Sequence, residues 1–533
     1  MIPAIPQDAL QELVAARGVS DAELEALLLA LEGESTAAIA SKLGISNIAV
    51  RKRLGEVYRK FNITGRGPGK LAELKHLLLT IHQNKQENGD AYAEQPTKST
   101  GASLRSRQDW GEAPEISVFY GRAREIASLE QWIIKDRCRL VALLGLAGIG
   151  KTTLAVQLAK QIQEEFEFVV WRSLRSGLSL EDLLSQLNQI FSTSKKAAPT
   201  EDINTRLSRL IEHLRKHRCL LILDDFETLL SPEELAGKYR REYENYRELV
   251  RRIAEANHNS CLMLISSEKP AELALLEGEK VCSLQVLGSK EVGLAIFQEK
   301  RLYGQEYWNL LIERYGGHAL ALKIVASTIK ELCNGQVGEF LKNSLFIGDI
   351  RYLLDFQFER LSESEKEIMY WLAIEGQPMA IATLKENILL PISQADLLKN
   401  IASLDRRSLI EKQVERGNTL FTLIPVISKY ITERFVELVC EEILDFITNQ
   451  KLENLKLFRS HLISSSKTAQ SRSILQRLKN KLSPTLMRYG CDELVKTLKQ
   501  ILSKLTEKTH LEVGYASTNL KTLISELKDD LIP

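Results

Sequence analysis

One strand–loop–helix junction constrains this chain more than any other part of it. Leu140–Leu144 is an apolar run of buried-strand type, Gly145-Leu-Ala-Gly-Ile-Gly-Lys151-Thr152 follows it at once, and helical spacing runs over Thr152–Gln163. Glycines at these positions let backbone N–H groups wrap an anion, and the helix start brings a positive dipole end to the same point. The pattern G-x-x-x-x-G-K-[ST] is complete at every fixed position. It predicts a nucleotide site at Gly145, Gly148, Ile149, Gly150, Lys151, Thr152 and Thr153. Lys151 is expected on the β- and γ-phosphates, and the Thr152 hydroxyl on Mg2+.

Further apolar runs at Phe168–Trp171, Leu220–Leu223, Leu262–Ile265 and Val281–Leu287 alternate with amphipathic segments, which predicts an α/β domain with a parallel sheet. The run from Cys219 ends in two aspartates at the sheet edge where such folds bind ligands. Asp224 is expected to complete the Mg2+ shell with Thr152, and Asp225 to orient a water as the catalytic group. After residue 290 strand signals fade and helical spacing dominates, with a capping box at Ser362 and Glu365.

Composition narrows the partners. Lysine plus arginine number 71 against 70 acids, a formal charge of +1, so nucleic-acid contact requires a local patch. The most apolar stretch, Leu140–Gly150, stops at Lys151 and is too short to span a bilayer. The start, MIPAIPQDALQELV, lacks the basic region and long apolar core of an export signal. Seven cysteines without a C-x-x-C spacing fit a reduced compartment and no zinc cluster. A cytoplasmic protein without membrane contact or a metal beyond Mg2+ is expected.

The local patch lies near the N-terminus. Ser20 and Glu23 form a capping box opening Glu23–Leu31, then come Thr36–Leu43, a turn at Gly44-Ile45, and Ser46 capping a helix to about Phe61. Two helices joined by a short glycine-containing turn have helix-turn-helix geometry. Arg51, Lys52, Arg53, Arg59, Lys60, Arg66, Lys70 and Lys75 stand against only Glu56 and Glu73. With the helix from Ser46 in a major groove, Ser46, Asn47, Val50 and Arg51 are expected at base edges, and Arg53, Arg59 and Lys60 at phosphates. The same helices also suit a protein-interaction module, and that alternative stays open.

Several ordered stretches carry a family likeness: DWGEAPEISVFYGRAREIASLEQWI (109–133), the loop at 145–152, FVVWRSL (168–174), LLILDD (220–225), YGGHALALKIVASTI (315–329), LSESEKEIMYWLAIEGQPM (361–379) and FTLIPVISKYITERFVELVCEEI (421–443). Together they resemble the STAND-class ATPases with an NB-ARC module, and residues 20–61 resemble LuxR/GerE-type DNA-binding domains. The resemblance implies a multidomain α/β plus α fold. It divides into a helix-turn-helix over 1–82, a linker over 83–117 and a P-loop NTPase domain over 118–288. A small helical domain over 289–345, a winged-helix domain over 346–440 and a helical C-terminal arm over 441–533 follow.

The resemblance also implies ATP or ADP as ligand, exchange of one for the other as the switch, and self-association. It places Tyr120, Gly121 and Arg122 near the adenine, and Ala319 and Pro425 at the nucleotide. Three positions depart from the family. Ser267 stands where an arginine senses the γ-phosphate, Ala319 replaces a proline, and Ile424 replaces a histidine ahead of Pro425. Binding with slow hydrolysis at most is therefore expected, with Lys269 as the nearest stand-in cation. Gly514-Tyr-Ala-Ser-Thr-Asn519 resembles the segment that leads into repeat sensors, and the sequence ends at Pro533, so a protein sensor in trans is an expected partner. Two readings result: a DNA-binding regulator switched by nucleotide, or a nucleotide-locked scaffold that recruits a protein through its N-terminal helices.

Overall fold

Short amphipathic helices at the N-terminus can bury their apolar stripes only against one another, and three of them do so: α1 (Asp21–Leu31), α2 (Thr36–Leu43) and α3 (Asn47–Lys60). In this computed structural model the described residues are 20–31, 36–61, 74, 107–116, 118–191, 202–343, 348–415, 417–449, 451–463, 469–489, 491–506 and 509–529. The chain divides into two units, Met1–Ser103 and Leu104–Pro533. In the first, the Ser20 N–H donates to Glu23 Oε2 at 2.8 Å and opens α1. Gly44, at φ 63°, turns the chain between α2 and α3. Ala30, Ile39, Ala40 and Val50 form the small core.

The second unit is built on a six-stranded parallel sheet in the order β1-β3-β4-β5-β2-β6. The strands are β1 (Arg107–Asp109), β2 (Leu140–Leu144), β3 (Phe168–Ser173), β4 (Cys219–Asp224), β5 (Cys261–Ser266) and β6 (Val281–Gln285). Helices α4 (Ala123–Glu130), α5 (Lys151–Ile162), α6 (Leu180–Phe191), α7 (Ile203–Lys216) and α8 (Asn245–Glu255) connect them. Strand alternation divides the core between the two faces. Val141, Leu143, Ile222 and Met263 pack with Leu154 and Leu158 of α5. Leu140, Ala142, Leu221 and Leu262 pack with Leu183, Leu210 and Leu249 of α6, α7 and α8.

β1 corrects the expected linker. Residues 83–106 and 117 lie outside the described residues, but Arg107–Asp109 pairs in parallel with Phe168–Val170 and forms the sheet edge. An Asp109–Arg172 ion pair at 2.8 Å fixes it. Arg-Gln-Asp has no apolar alternation to announce a strand, because an edge strand of three residues buries little.

Beyond β6 come α9 (Lys290–Glu299), a short helix Trp308–Arg314, α10 (Ala319–Leu332) and a short helix Val337–Asn343. Next are α11 (Gly348–Glu359) and α12 (Glu363–Glu375), the latter opened by the full Ser362/Glu365 capping box. α13 (Gln394–Arg406) precedes a hairpin of β8 (Ile410–Glu415) and β9 (Asn418–Leu423), which pairs with β7 (Met379–Ala380) in a sheet of order β7-β9-β8. Helices with a hairpin wing make the expected winged-helix arrangement. Its strands were not legible, since β8 exposes all but its first residues.

The expected boundary at 440/441 falls inside one helix, α14 (Pro425–Asn449), whose buried residues run from Val426 to Phe446 without a break. The arm continues in α15 (Ala469–Tyr489), α16 (Cys491–Thr506) and α17 (Ala516–Asp529). Buried Asn519 staples it: the side chain donates to Phe458 O and His461 O, both at 2.7 Å, and accepts from the Ile463 N–H at 2.8 Å.

Candidate functional site

β2 ends between β5 and β6, and the glycine loop leaves its carboxyl end for α5. Gly145, Gly148 and Gly150 all have positive φ. At Gly148 a Cβ would sit 2.8 Å from Leu320 Cδ2 and 3.1 Å from His318 Cε1, so the close approach requires glycine. The buried Lys151 ammonium donates to Gly145 O at 2.8 Å and Leu146 O at 3.0 Å. Burial pushes its pKa down, and the charges of Glu227, Asp224 and Asp225 oppose that shift.

Two other segments meet the loop. Buried Arg122, in left-handed conformation at φ 63°, donates to Ile149 O at 3.3 Å and pairs with Glu125 at 2.7 Å. Across from it the start of α10 closes on the loop. His318 Nε2 lies 2.9 Å from Ala147 O, its Nδ1 accepts from the Ala321 N–H at 3.2 Å, and the Leu320 N–H donates to Gly148 O at 3.1 Å. Burial holds the His318 ring neutral, its pKa pushed down to about 4.

Tyr120 and Gly121 lie against α9: burial and the Glu299 carboxylate raise the phenol pKa, and a Cβ on Gly121 would be 3.3 Å from Glu291 Cβ. Ala319 is the first residue of α10. The Pro425 ring packs on Gly316, where a Cβ would meet its Cδ at 3.1 Å. Thr153 lies half-buried in the first turn of α5.

The acids gather opposite. Thr152 Oγ1 donates to Asp224 Oδ1 at 3.3 Å, which brings the two expected Mg2+ ligands together. Burial, and then the Asp225 charge, push the Asp224 carboxyl up to about 6. Asp225 sits at φ 57° and accepts from Ser173 Oγ at 2.9 Å. Sequence reasoning missed Glu227, whose charge acts on Lys151 more than that of either aspartate and which also accepts from the Ser267 N–H at 3.1 Å. Its place two residues past Asp225, in the turn Phe226–Leu229, was the available signal.

The end of β5 differs most from expectation. Ser267 is followed by Glu268, which is 2% exposed and grips two arginines of the winged-helix region, Arg407 at 2.7 Å and Arg360 at 3.1 Å, plus the Gly237 N–H at 2.7 Å. Arg407 also reaches fully buried Glu365 at 3.4 Å. Around them the Ala236 N–H donates to Ser403 Oγ at 2.6 Å and the Lys269 N–H to Arg406 O at 2.9 Å. The Lys269 amine is paired with Glu277 at 2.6 Å, so it is no stand-in for the missing arginine. A cavity of about 600 Å³ opens beside this region, lined by Leu144, Gln285, Leu287, Asp405, Arg406 and Ile424 among others.

In the N-terminal unit, Ser46 is exposed and caps α3 by accepting from the Ala49 N–H at 3.2 Å, and Asn47 is exposed beside it. Val50 corrects the expectation of a base contact: it is fully buried, because the face of α3 that carries it is the one packed on α1 and α2. Arg53 donates to Ala22 O at 3.2 Å, and Lys60 pairs with Glu23 at 2.6 Å, so both expected phosphate contacts brace the module internally. The side chains of Arg51 and Arg59 lie outside the described residues.

Comparisons with known proteins fall on the same two regions of the chain. A profile described as "NB-ARC domain" matches residues 122–237, and one described as "Bacterial regulatory proteins, luxR family" matches residues 18–67. The chain is 37% identical over 492 residues to an uncharacterized WD repeat-containing protein of Nostoc sp., covering 81% of this chain and 39% of that protein. It is 28% identical over 244 residues to disease resistance protein RPV1 of Vitis rotundifolia, covering 44% of this chain and 17% of that protein. Among solved structures it is similar to a Walker-type ATPase of Pyrococcus abyssi, with 17% identity, a TM-score of 0.42, and coverage of 59% of this chain and 96% of that one. The chain thus spans less than half the length of either of these two sequence relatives.

Proposed function

We propose that this chain, which carries an NB-ARC domain and a luxR-family regulatory domain, is an adenine-nucleotide switch governing a duplex-DNA-binding module. The observation that carries the reading is the pairing of a complete phosphate loop with the contact, at 3.3 Å, between Thr152 in the first turn of α5 and Asp224 at the carboxyl end of β4. A hydroxyl and a carboxylate are hard oxygen donors of the kind Mg2+ takes, so the residues fit the ion, which would shield phosphate charge when bound. Lys151 carries the loop's own positive charge, and Asp225, held by Ser173, orients water. No arginine stands at position 267, and a supplied arginine is worth roughly 10³–10⁵ in rate, so turnover is slow. Lys151→Ala is expected to weaken ATP binding at least tenfold, about 1.4 kcal/mol, in calorimetry. Unchanged affinity in that variant removes the reading.

On the output side, an exposed Ser46–Asn47 start to α3 suits a major groove. A single such helix reads a short site, so a self-associated, cytoplasmic form with paired half-sites is the working state. The internal engagement of Arg53 and Lys60 supports the second reading, a scaffold that recruits protein through these helices. Duplex affinity that falls steeply with salt favours the regulator. No duplex binding at low salt favours the scaffold.

A further inference from the structure

The phosphate loop has its carbonyls tied by three separate pieces of chain. Lys151 holds Gly145 O and Leu146 O, Arg122 holds Ile149 O, and the start of α10 holds the two between, Ala147 O through His318 and Gly148 O through the Leu320 N–H. A trans peptide points its C=O and the following N–H in opposite directions. Fixing Ala147 O toward His318 therefore aims the Gly148 N–H the other way. That N–H has no acceptor among the described residues, whereas the Ile149 N–H is used in a turn to Leu146 O at 3.2 Å. At the start of α5 the first-turn N–H groups are likewise unused, as at any helix start.

Resting on the nucleotide reading of this loop, we propose that His318 is a positioning residue for it: from the N-cap of α10 it locks the Ala147–Gly148 peptide so that the Gly148 N–H is presented to a phosphate oxygen of the nucleotide. The ring suits the task in one form only. Nδ1 accepts from the Ala321 N–H, so Nε2 carries the proton and donates to Ala147 O. A charged ring would lose the cap and stand as a second cation beside Lys151, and burial disfavours that form. The helical segment thereby belongs to the phosphate site, although its side chain does not touch the ligand.

The experiment measures ADP affinity of the full chain, without and with Mg2+, for wild type, His318→Leu, His318→Gln and Lys151→Ala. Leucine fills the place without hydrogen bonds, whereas glutamine can donate to Ala147 O and accept from the Ala321 N–H. We expect about a tenfold loss for His318→Leu and less than about threefold for His318→Gln. Wild-type affinity in His318→Leu, or equal losses in both variants, overturns the role. If Lys151→Ala also binds as wild type does, the nucleotide reading falls too, whereas loss in Lys151→Ala alone removes only the inference. A second measurement needs no variant. In chain labelled with 15N-histidine, the His318 ring should show the Nε2–H tautomer at neutral pH and shift on addition of ADP. An Nδ1–H or charged ring, or no shift, overturns it.

Discussion

The ends of β4 and β5 lie side by side in the sheet, and each carries a carboxylate, yet the two are held in opposite ways. Asp224 at the end of β4 has a threonine hydroxyl and a backbone N–H for partners, while burial and Asp225 raise its pKa. Glu268 past the end of β5 has two guanidinium groups and a backbone N–H. One carboxylate keeps hydrogen-bonding capacity to spare, the reserve on which the proposed Mg2+ site draws. The other is consumed in fastening the winged-helix region to the sheet. The difference teaches that position at the end of a strand alone does not make a carboxylate a candidate ligand; its remaining hydrogen-bonding capacity does.

The largest expected effect tests the consumed charge. Glu268→Ala leaves Arg360 and Arg407, 9% and 5% exposed, without their shared carboxylate. Removing one partner of a buried pair costs about 3–5 kcal/mol. Urea unfolding should report a loss of that size, and a loss under about 1 kcal/mol would mean that the network fastens nothing.

A smaller effect of opposite sign tests the reserved charge. The ordinary aspartate pKa is near 3.9, and Asp224 is pushed up to about 6, so the native state binds this proton more tightly than the unfolded chain. Ionisation then removes stability as pH rises from about 4 to 6. With EDTA present, Asp224→Asn should be more stable than wild type at pH 7.5, by on the order of 1–3 kcal/mol, and should lose that advantage below about pH 4. Destabilisation like that of Glu268→Ala would erase the contrast between the strand ends.

The smallest effect extends the contrast to the N-terminal unit. Lys60 is a consumed charge, paired with Glu23, whose carboxyl pKa that hydrogen bond lowers. Lys60→Ala should reduce the stability of this unit by less than about 1 kcal/mol and leave the salt dependence of duplex binding unchanged. A shallower salt slope would return Lys60 to the phosphate-contact group.

What could be read beforehand follows the same division. β2 to β5 were legible because strands covered on both faces have near-continuous apolar sequences. The loop, Thr152 and Asp224 were legible because their chemistry depends on local spacing and on strand ends. Glu268, Arg360 and Arg407 were not, since they lie 92 and 139 positions apart and meet only once the winged-helix region packs. His318 stands 171 positions from its partner Ala147 and was hidden in the same way. Val50 was misassigned because groove-facing and core-facing residues differ by one position along a short helix, which pattern alone cannot resolve over so few turns.

α14 adds a mechanical consequence. It starts at Pro425 against Gly316, next to the segment that closes on the loop, and runs 25 residues to Asn449 without interruption. On the way, Glu442 accepts the N–H groups of Leu457 and Phe458, at 2.9 and 3.0 Å, and so couples the helix to the arm. At 1.5 Å per residue such a rod is roughly 37 Å long, and a tilt of about 5° at Pro425 carries its far end through about 3 Å. A displacement too small to break a hydrogen bond at the glycine turn is thus magnified, at the arm, to the width of an atom.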